Sequence, residues 1–373
     1  MDFELSEAQQ DLRDLATQIL DGELSTERLK EVDASSDHFD RELWARLAEA
    51  GLLGVVVPEV HGGLGLGFLE AAVVLEQIGR TVAPVPFLAT VVLGALPIAR
   101  FAPPALQAAV LPGVAAGETV LTAALVELAG DPLRPQTTAT RSGDGWTLDG
   151  QKDCVPAGMV ADRVLVPAAT ADGGVVLALV DPTAVGVTRL RQDTTNGDPE
   201  ARLVLAGVAV ADADVVVGPA EGAHALGWLV ERAVAAQCVV MAGIAEAALR
   251  MTAEYTKTRE QFGRPIATFQ AVGQRAADAY IDTEAIRLTA WQAAWRLAED
   301  LPAGPEVAVA KFWTAEGGQR VVHAAQHLHG GMGVDRDYPL HRYFLLAKKI
   351  ELSLGGTSSQ LVKIGAYLAA LPA

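Results

Sequence analysis

The spacing of apolar positions along the chain divides it into three stretches. From Leu5 to Leu125 apolar residues recur mostly at helical spacing, interrupted by the Pro- and Gly-containing segments VPEVHGG and APVPF. Between about 119 and 217 the pattern changes to short runs rich in β-branched residues, separated by Gly, Asp and Pro turns. Long helical patterns then return at 222–258, 266–298, 304–330 and 337–354.

These patterns predict a mainly α protein with a small β domain. We expect an N-terminal helical domain over 1–118, a middle β domain over 119–217 and a C-terminal helical bundle over 218–373. The last four predicted helices are long and joined by short connections, which favours a four-helix bundle. The apolar stretch 233–249 is shorter than a bilayer span of about 20 residues and contains two polar side chains, so we predict a buried core helix and no membrane segment.

Charge and cysteine usage narrow the possible partners. The 46 acidic and 29 basic residues give a net charge of −17, which disfavours binding to nucleic acid or to anionic lipid. Cys154 and Cys238 lack metal-ligand spacing, so neither a zinc site nor a disulfide is expected. The first residues are acidic and amphipathic and show no export signal, which together with the cysteines predicts a reducing, cytoplasmic location.

Three segments carry a resemblance to a known family. They are LWARLAEAGLLGVVVPEVHGGLGLGFLEAAVVLEQIGR at 43–80, YTKTREQFGRPIATFQAVGQRAAD at 255–278 and QHLHGGMGVDRDYPLHRYF at 326–344. In order and spacing they closely resemble the acyl-CoA dehydrogenase family over nearly the whole chain. The resemblance implies an acyl-CoA dehydrogenase-like fold, with a middle β-barrel-like domain between an N-terminal helical domain and a C-terminal four-helix bundle.

The same resemblance implies a cofactor and a reaction. In this family FAD is shared at a subunit interface of a tetramer, with the flavin ring on one chain and the ADP end reaching a neighbouring chain. The reaction is the α,β-desaturation of a CoA thioester, in which a base removes the α-proton and the β-hydrogen leaves as hydride to the flavin. The implied partners are an acyl-CoA substrate and an electron-transfer flavoprotein or similar acceptor.

By this resemblance, the residues that bind the ADP half of FAD are present. They are Arg259, Gln261 and Phe262 in TREQFG, followed by Gln326, Gly330 and Gly331 in QHLHGG. An arginine fork suits paired pyrophosphate oxygens, and glycines let a nucleotide approach the backbone. The alternative is that Arg259 pairs with a carboxylate of the bundle while the glycines only end a helix.

The residues that would hold the flavin ring differ from the family pattern. The segment AALVELAGDPLRPQ at 123–136 lacks the threonine that the family places there. In GQKDCVPAG, Cys154 replaces an aromatic residue and Pro156 replaces a hydroxyl residue that contacts the flavin, and proline also removes a backbone donor. Either the ring contacts are lost or divergent loops supply them from elsewhere.

Both positions at which the family keeps its catalytic base are empty in this chain. In ELSLGGTSSQL at 351–361, Gly355 occupies the place of the usual glutamate. Counting back from YTKTREQFG places the alternative position at Ala233. Glu231 lies roughly 200° around the helix from that position, and Gln237 lies on the correct face but is an amide.

Other side chains near the glycine pair have ordinary explanations. Glu351 is expected either to cap the bundle surface or to pair with Lys348. Thr357 and Ser358 could hydrogen-bond a nucleotide through hydroxyl and backbone donors, or could belong only to a helix-terminal turn. The histidines at 323, 327 and 329 lack a carboxylate in metal-binding pattern, so no metal site is predicted.

The pattern therefore resembles the base-lacking subunit of the two-gene, heterotetrameric acyl-CoA dehydrogenases of sterol side-chain degradation. In such a pair a homologous glutamate-bearing subunit would supply the base and the flavin platform. One alternative is a self-sufficient homotetrameric acyl-CoA dehydrogenase with a relocated base. Another is a non-catalytic scaffold or acyl-CoA-binding protein.

Overall fold

The computed structural model describes residues 4–370. These residues form two compact units, each built from segments that are distant in sequence. One unit contains residues 4–30, 72–83 and 234–370, and the other contains 31–71 and 84–233.

The N-terminal third is helical, as its apolar spacing predicts. Its helices are α1 (Glu7–Glu23), α2 (Thr26–Asp33), α3 (Arg41–Glu49), α4 (Phe68–Thr81), α5 (Leu96–Phe101) and α6 (Pro104–Ala115), with a π-helical stretch at Leu88–Ala95 before α5. Ser6 begins α1 with a capping box, because its hydroxyl accepts a hydrogen bond from Gln9 N while the Gln9 side chain accepts one from Ser6 N.

The middle of the chain forms one eight-stranded sheet. Its strands are β1 (Leu121–Ala123), β2 (Thr138–Ser142), β3 (Gly145–Val155), β4 (Arg163–Ala169), β5 (Val175–Val180), β6 (Val187–Gln192), β7 (Glu200–Ala211) and β8 (Val215–Val217). The strand order is β6-β7-β3-β2-β4-β5-β8, and β1 pairs in parallel with β4. Every residue of β5 is buried, which explains its continuous apolar sequence.

Long helices make up the C-terminal part. They are α7 (Gly222–Thr258), α8 (Gln270–Ala298), α9 (Gly304–His329), α10 (Leu340–Leu352) and α11 (Thr357–Ala369), with a small hairpin of β9 (Glu260–Gln261) and β10 (Arg264–Pro265) between α7 and α8. The mainly α architecture with a small β domain is therefore confirmed. α7 is long and apolar enough to cross a membrane by length and composition alone, and its most apolar 18-residue window is 72% buried inside the protein.

The helix boundaries differ from the expected ones at three places. α8 begins at Gln270 and not at 266, because a 3₁₀ turn at Ile266–Thr268 follows Pro265. α10 is confined to Leu340–Leu352. α11 follows the glycine pair and was not predicted, because the apolar pattern after LGGTSS is short.

Candidate functional site

Arg259 lies directly after the last turn of α7. Its backbone N donates to Tyr255 O at 2.8 Å, and its own carbonyl accepts from Ile266 N at 2.8 Å, so the main chain is held on both sides. The side chain is exposed, and within residues 4–370 no carboxylate forms an ion pair with it. The guanidinium fork is therefore available for an anionic ligand.

The hairpin after Arg259 presents an exposed aromatic ring. The Phe262 side chain is 92% exposed and its backbone has φ +53°, a left-handed conformation that is uncommon for a bulky residue. Its ring packs edge-on against Phe269 at 6.1 Å, and Arg264 covers the Phe269 ring at 4.3 Å. Gln261 is also exposed, and its side-chain amide donates to Glu260 O at 2.8 Å.

The end of α9 forms an open backbone turn. Gly330 has φ +58° and ψ −132°, a conformation that requires glycine. A Cβ added to Gly330 or Gly331 would meet nothing within 4 Å, so the space above this backbone is free. Gly333 differs, because a Cβ there would lie 2.6 Å from Gln326 O. Gln326 is half-buried and packs against the turn.

The backbone at Gly355 is strained for any residue with a side chain. Gly355 has φ +101° and follows Leu354, which itself has φ +54°. A Cβ on Gly355 would collide with Ser359 Oγ and lie 2.9 Å from Gln360 Nε2. The Gln360 side chain is 1% exposed and donates to Gly355 O at 3.2 Å, which holds the turn in place.

The residues around this turn have defined partners. Lys348 Nζ lies 2.5 Å from Glu351 Oε2, which confirms the predicted pair. Thr357 Oγ1 donates to Glu316 Oε2 at 3.3 Å. Ser358 is exposed in the first turn of α11, whose N-cap, Gly356, supplies no side-chain hydrogen bond. The first amides of α11 therefore remain available as donors.

The alternative base position is also without a carboxylate. Ala233 is fully buried within α7. Gln237 accepts a hydrogen bond from Lys311 Nζ at 3.3 Å. Glu231 is half-buried, and burial raises its pKa although neighbouring Arg232 opposes the shift.

Lys311 is a buried charged residue that the sequence analysis missed. Its ammonium donates to the main-chain carbonyl of Ile350, in the last turn of α10, and the side chain is fully buried. Burial lowers the pKa of Lys311 to about 8 and raises the pKa of nearby Cys238 to about 11. A single lysine in a helical pattern gives no signal of such a role, because most lysines lie on the solvent face.

The β-domain loop that carries Cys154 and Pro156 is strained and internally bonded. Cys154 and Ala157 have φ of +49° and +51°. Thr122 Oγ1 donates to Pro156 O at 2.6 Å, and Cys154 N donates to Gln192 Oε1 at 2.6 Å. One backbone group at the end of β3 and one just after it are therefore bonded within the protein.

A buried ion pair lies in the same sheet. Lys152 Nζ, on a side chain that is 1% exposed, donates to Glu127 Oε1 at 2.6 Å. Thr137 adds two donors to the same oxygen, from its backbone N at 2.9 Å and its hydroxyl at 2.7 Å. Burial raises the pKa of Glu127, but the hydrogen bonds from Lys152 and Thr137 outweigh this and lower it. This pair was not predicted.

Comparison with known proteins identifies the class. Residues 6–118 match the family model for the acyl-CoA dehydrogenase N-terminal domain, and residues 221–368 match that for the acyl-CoA dehydrogenase C-terminal domain. The chain belongs to the acyl-CoA dehydrogenase family and is an oxidoreductase of that family, as the sequence motifs predicted.

Individual relatives are similar over the full length. The chain is 45% identical to acyl-CoA dehydrogenase FadE27 of Mycobacterium tuberculosis, covering 100% of both proteins, and 39% identical to FadE28 of the same organism, covering 98% of each. Among solved structures it is similar to a chain of the ChsE4-ChsE5 complex from Mycobacterium tuberculosis, with a TM-score of 0.95 at 44% identity and 100% coverage of both chains. A chain of a Tcur3481-Tcur3483 steroid ACAD variant gives a TM-score of 0.91 at 45% identity, covering 97% of this chain and 98% of that one.

Proposed function

We propose that this chain is the base-lacking subunit of a heteromeric acyl-CoA dehydrogenase, and that it completes the FAD site of a homologous glutamate-bearing partner. The observation that carries the proposal is the backbone at Gly355, whose φ of +101° and close contacts with Ser359 and Gln360 disfavour any side chain where the family keeps its base. The similarity to chains of the ChsE4-ChsE5 complex and of the Tcur3481-Tcur3483 pair supports a heteromeric assembly.

The side chains of this chain suit the nucleotide end of FAD better than the ring end. The nucleotide end would meet the free guanidinium of Arg259, the exposed ring of Phe262 and the open backbone at Gly330. The ring end would meet Pro156, which has no N–H and whose carbonyl already accepts from Thr122. Cys154 offers no stacking surface there.

Each group would have a simple role. Bound FAD supplies the acceptor for the hydride that leaves the β-carbon of the thioester. Arg259 would neutralise the pyrophosphate, while the backbone at Gly330 and Gly331 would lie against the nucleotide. The free amides at Thr357 and Ser358 would donate to an anionic oxygen. The α-proton would be removed by a carboxylate of the partner chain, a step to which a general base contributes about two to four orders of magnitude.

The substrate proposed is a CoA thioester with a large, ring-bearing acyl group. One of the similar structures is described as a steroid ACAD, and this is the basis for the preference. The electrons would pass to an electron-transfer flavoprotein or a similar acceptor. A reducing cytoplasm is the proposed location.

Co-expression with a glutamate-bearing homologue tests the proposal. The pair should retain one FAD per heterodimer through purification and oxidise a steroid-ring acyl-CoA, whereas this chain alone should retain no FAD and show no turnover. Arg259→Ala should reduce the FAD retained by the pair, and Arg264→Ala, which removes an arginine that stacks on Phe269, serves as the matched control. If the isolated chain is yellow and active, the heteromeric function is wrong. If the pair assembles but gains neither flavin nor turnover, the chain has a scaffold role and the proposed catalytic function is wrong.

A self-sufficient dehydrogenase is the second candidate, and Glu231 is the residue that favours it. Burial raises the pKa of this carboxyl toward the range of a general base. In that case Glu231→Gln should abolish turnover of the isolated chain. Under the leading proposal the same substitution leaves the turnover of the pair unchanged.

A further inference from the structure

Three aromatic side chains link the ends of α7 and α9. The His329 ring stacks on the Tyr255 ring with centroids 4.4 Å apart and an interplanar angle of 23°. Tyr338, in the segment before α10, lies 5.2 Å from His329 and 6.4 Å from Tyr255. We refer to Tyr255, His329 and Tyr338 as the aromatic link.

Hydrogen bonds fix the orientation of the histidine within the aromatic link. His329 Nδ1 lies 2.8 Å from the carbonyl of Ala325, which can only accept, so Nδ1 carries the proton. Nε2 is then an acceptor and lies 3.1 Å from the hydroxyl of Tyr338. His329 is 2% exposed, and burial lowers its pKa, so the ring is neutral.

The two segments that the link joins are those that carry the proposed nucleotide-binding residues. Tyr255 O accepts the hydrogen bond from Arg259 N, so the stacked ring lies one helical turn before the guanidinium-bearing residue. His329 directly precedes Gly330, at which the backbone turns. The stack on Tyr255 is the contact that joins α9 to α7. The bond to Ala325 lies within α9 and the bond to Tyr338 lies before α10, and together they fix the orientation of the stacked ring.

We propose that the aromatic link is a positioning device, which sets Arg259 against the Gly330–Gly331 turn at the spacing needed to bind the diphosphate end of a nucleotide. This inference rests on the proposed function. We infer that the three residues of the link position the binding residues and do not themselves bind the ligand. They act through Arg259 and the glycine turn.

ADP binding to the full-length chain, measured by calorimetry, tests this without any turnover. His329→Phe keeps a ring for stacking but loses both hydrogen bonds, and Tyr338→Phe removes a single hydroxyl. We expect ADP affinity to fall about tenfold for His329→Phe and about threefold for Tyr338→Phe, in the range of coupling between neighbouring residues. His323→Phe is the matched control, because His323 is exposed on the same helix and contacts Phe344.

A double-mutant cycle separates positioning from a general loss of stability. If the link acts through Arg259, His329→Phe should have little further effect on ADP affinity once Arg259→Ala is present. An unchanged ADP affinity in His329→Phe and Tyr338→Phe, with Arg259→Ala still impaired, would overturn the positioning role and leave the proposed function intact. Equal binding by the wild type and Arg259→Ala would instead contradict the proposed nucleotide site itself.

Discussion

Lys311 and Ile350 are joined by a hydrogen bond from a fully buried ammonium to a main-chain carbonyl in the last turn of α10. The same ammonium also bonds Gln237 on α7, so one side chain connects three helices of the bundle. The last turn of α10 leads directly into the glycine pair. Lys311 therefore helps to hold the segment before Gly355, the position at which we propose that the family's base is missing.

Replacing Lys311 with methionine should destabilise the protein. The substitution keeps the volume but leaves the buried carbonyl of Ile350 and the half-buried side chain of Gln237 without a donor. The unsatisfied buried carbonyl alone costs about 1 to 3 kcal/mol before relaxation. Urea unfolding measures the loss. Lys257→Met, at a side chain that is 62% exposed, should change the free energy of unfolding by less than about 0.5 kcal/mol. Equal effects of the two substitutions would contradict the role given to Lys311.

Gly355→Glu should not restore a base. A side chain at φ +101° costs on the order of 1 to 3 kcal/mol, and its Cβ would displace Ser359 or Gln360. We expect lower stability and no turnover by the isolated variant. Gly355→Ala is the control for the cost of the strained backbone alone. We expect Gly355→Ala and Gly355→Glu to lose similar amounts of stability. A stable, active Gly355→Glu protein would show that the site was only missing its side chain.

Lys152→Met should be among the most destabilising substitutions in the sheet. It leaves the Glu127 carboxylate buried without its cation, and breaking such a pair typically costs about 3 to 5 kcal/mol. The double variant Glu127→Gln with Lys152→Met should recover part of the loss, because no charge then remains buried. If the double variant is less stable than Lys152→Met alone, the ion pair does not explain the effect.

His38 should make stability depend on pH. Its Nε2 lies 2.9 Å from Asp33 Oδ1, and its Nδ1 lies 3.7 Å from Asp198 Oδ1. Burial lowers the pKa of His38, but the carboxylates of Asp198 and Asp33 outweigh this and raise it above 6.5. The stabilisation is therefore complete below pH 6.5 and is lost as pH rises through the folded-state pKa.

Urea unfolding at pH 6 and pH 8.5 measures this dependence. His38→Asn should reduce it, and asparagine tolerates the left-handed backbone of φ +48° at this position. His61→Asn, in the 3₁₀ turn Glu59–His61, is the control and should keep the wild-type pH dependence of stability. If His38→Asn retains the full pH dependence, another group is responsible.

Helices whose ends are marked by local sequence signals could be predicted from the sequence. The range 222–258 for α7 agrees with the structure at both ends, because a Gly-containing segment precedes it and the TREQFG hairpin follows it. The residues carrying the family resemblance could likewise be located, since they lie in short contiguous motifs. The roles assigned to them as binding residues remain predictions.

Interactions between distant positions were not predictable from local pattern. Glu127 and Lys152 are 25 residues apart, and the adjacent residues Val126 and Asp153 pair in an isolated bridge. Lys311 meets Ile350 only through helix packing. His329 was noted only as one of three histidines without metal-binding pattern, whereas its stacking on Tyr255 depends on how α7 and α9 end beside each other. Such contacts are set by tertiary structure, which apolar periodicity does not encode.

The continuity of α7 has a consequence for cofactor loading. The 22 steps from Gln237 to Arg259, the first residue after the helix, rise about 33 Å at about 1.5 Å per residue. The residue beside the alternative base position and the proposed nucleotide-binding arginine therefore lie far apart along one helix. Under the proposed function, a cofactor with its nucleotide end at Arg259 would rest its ring end on the partner chain, so this chain alone would hold only one end of the molecule.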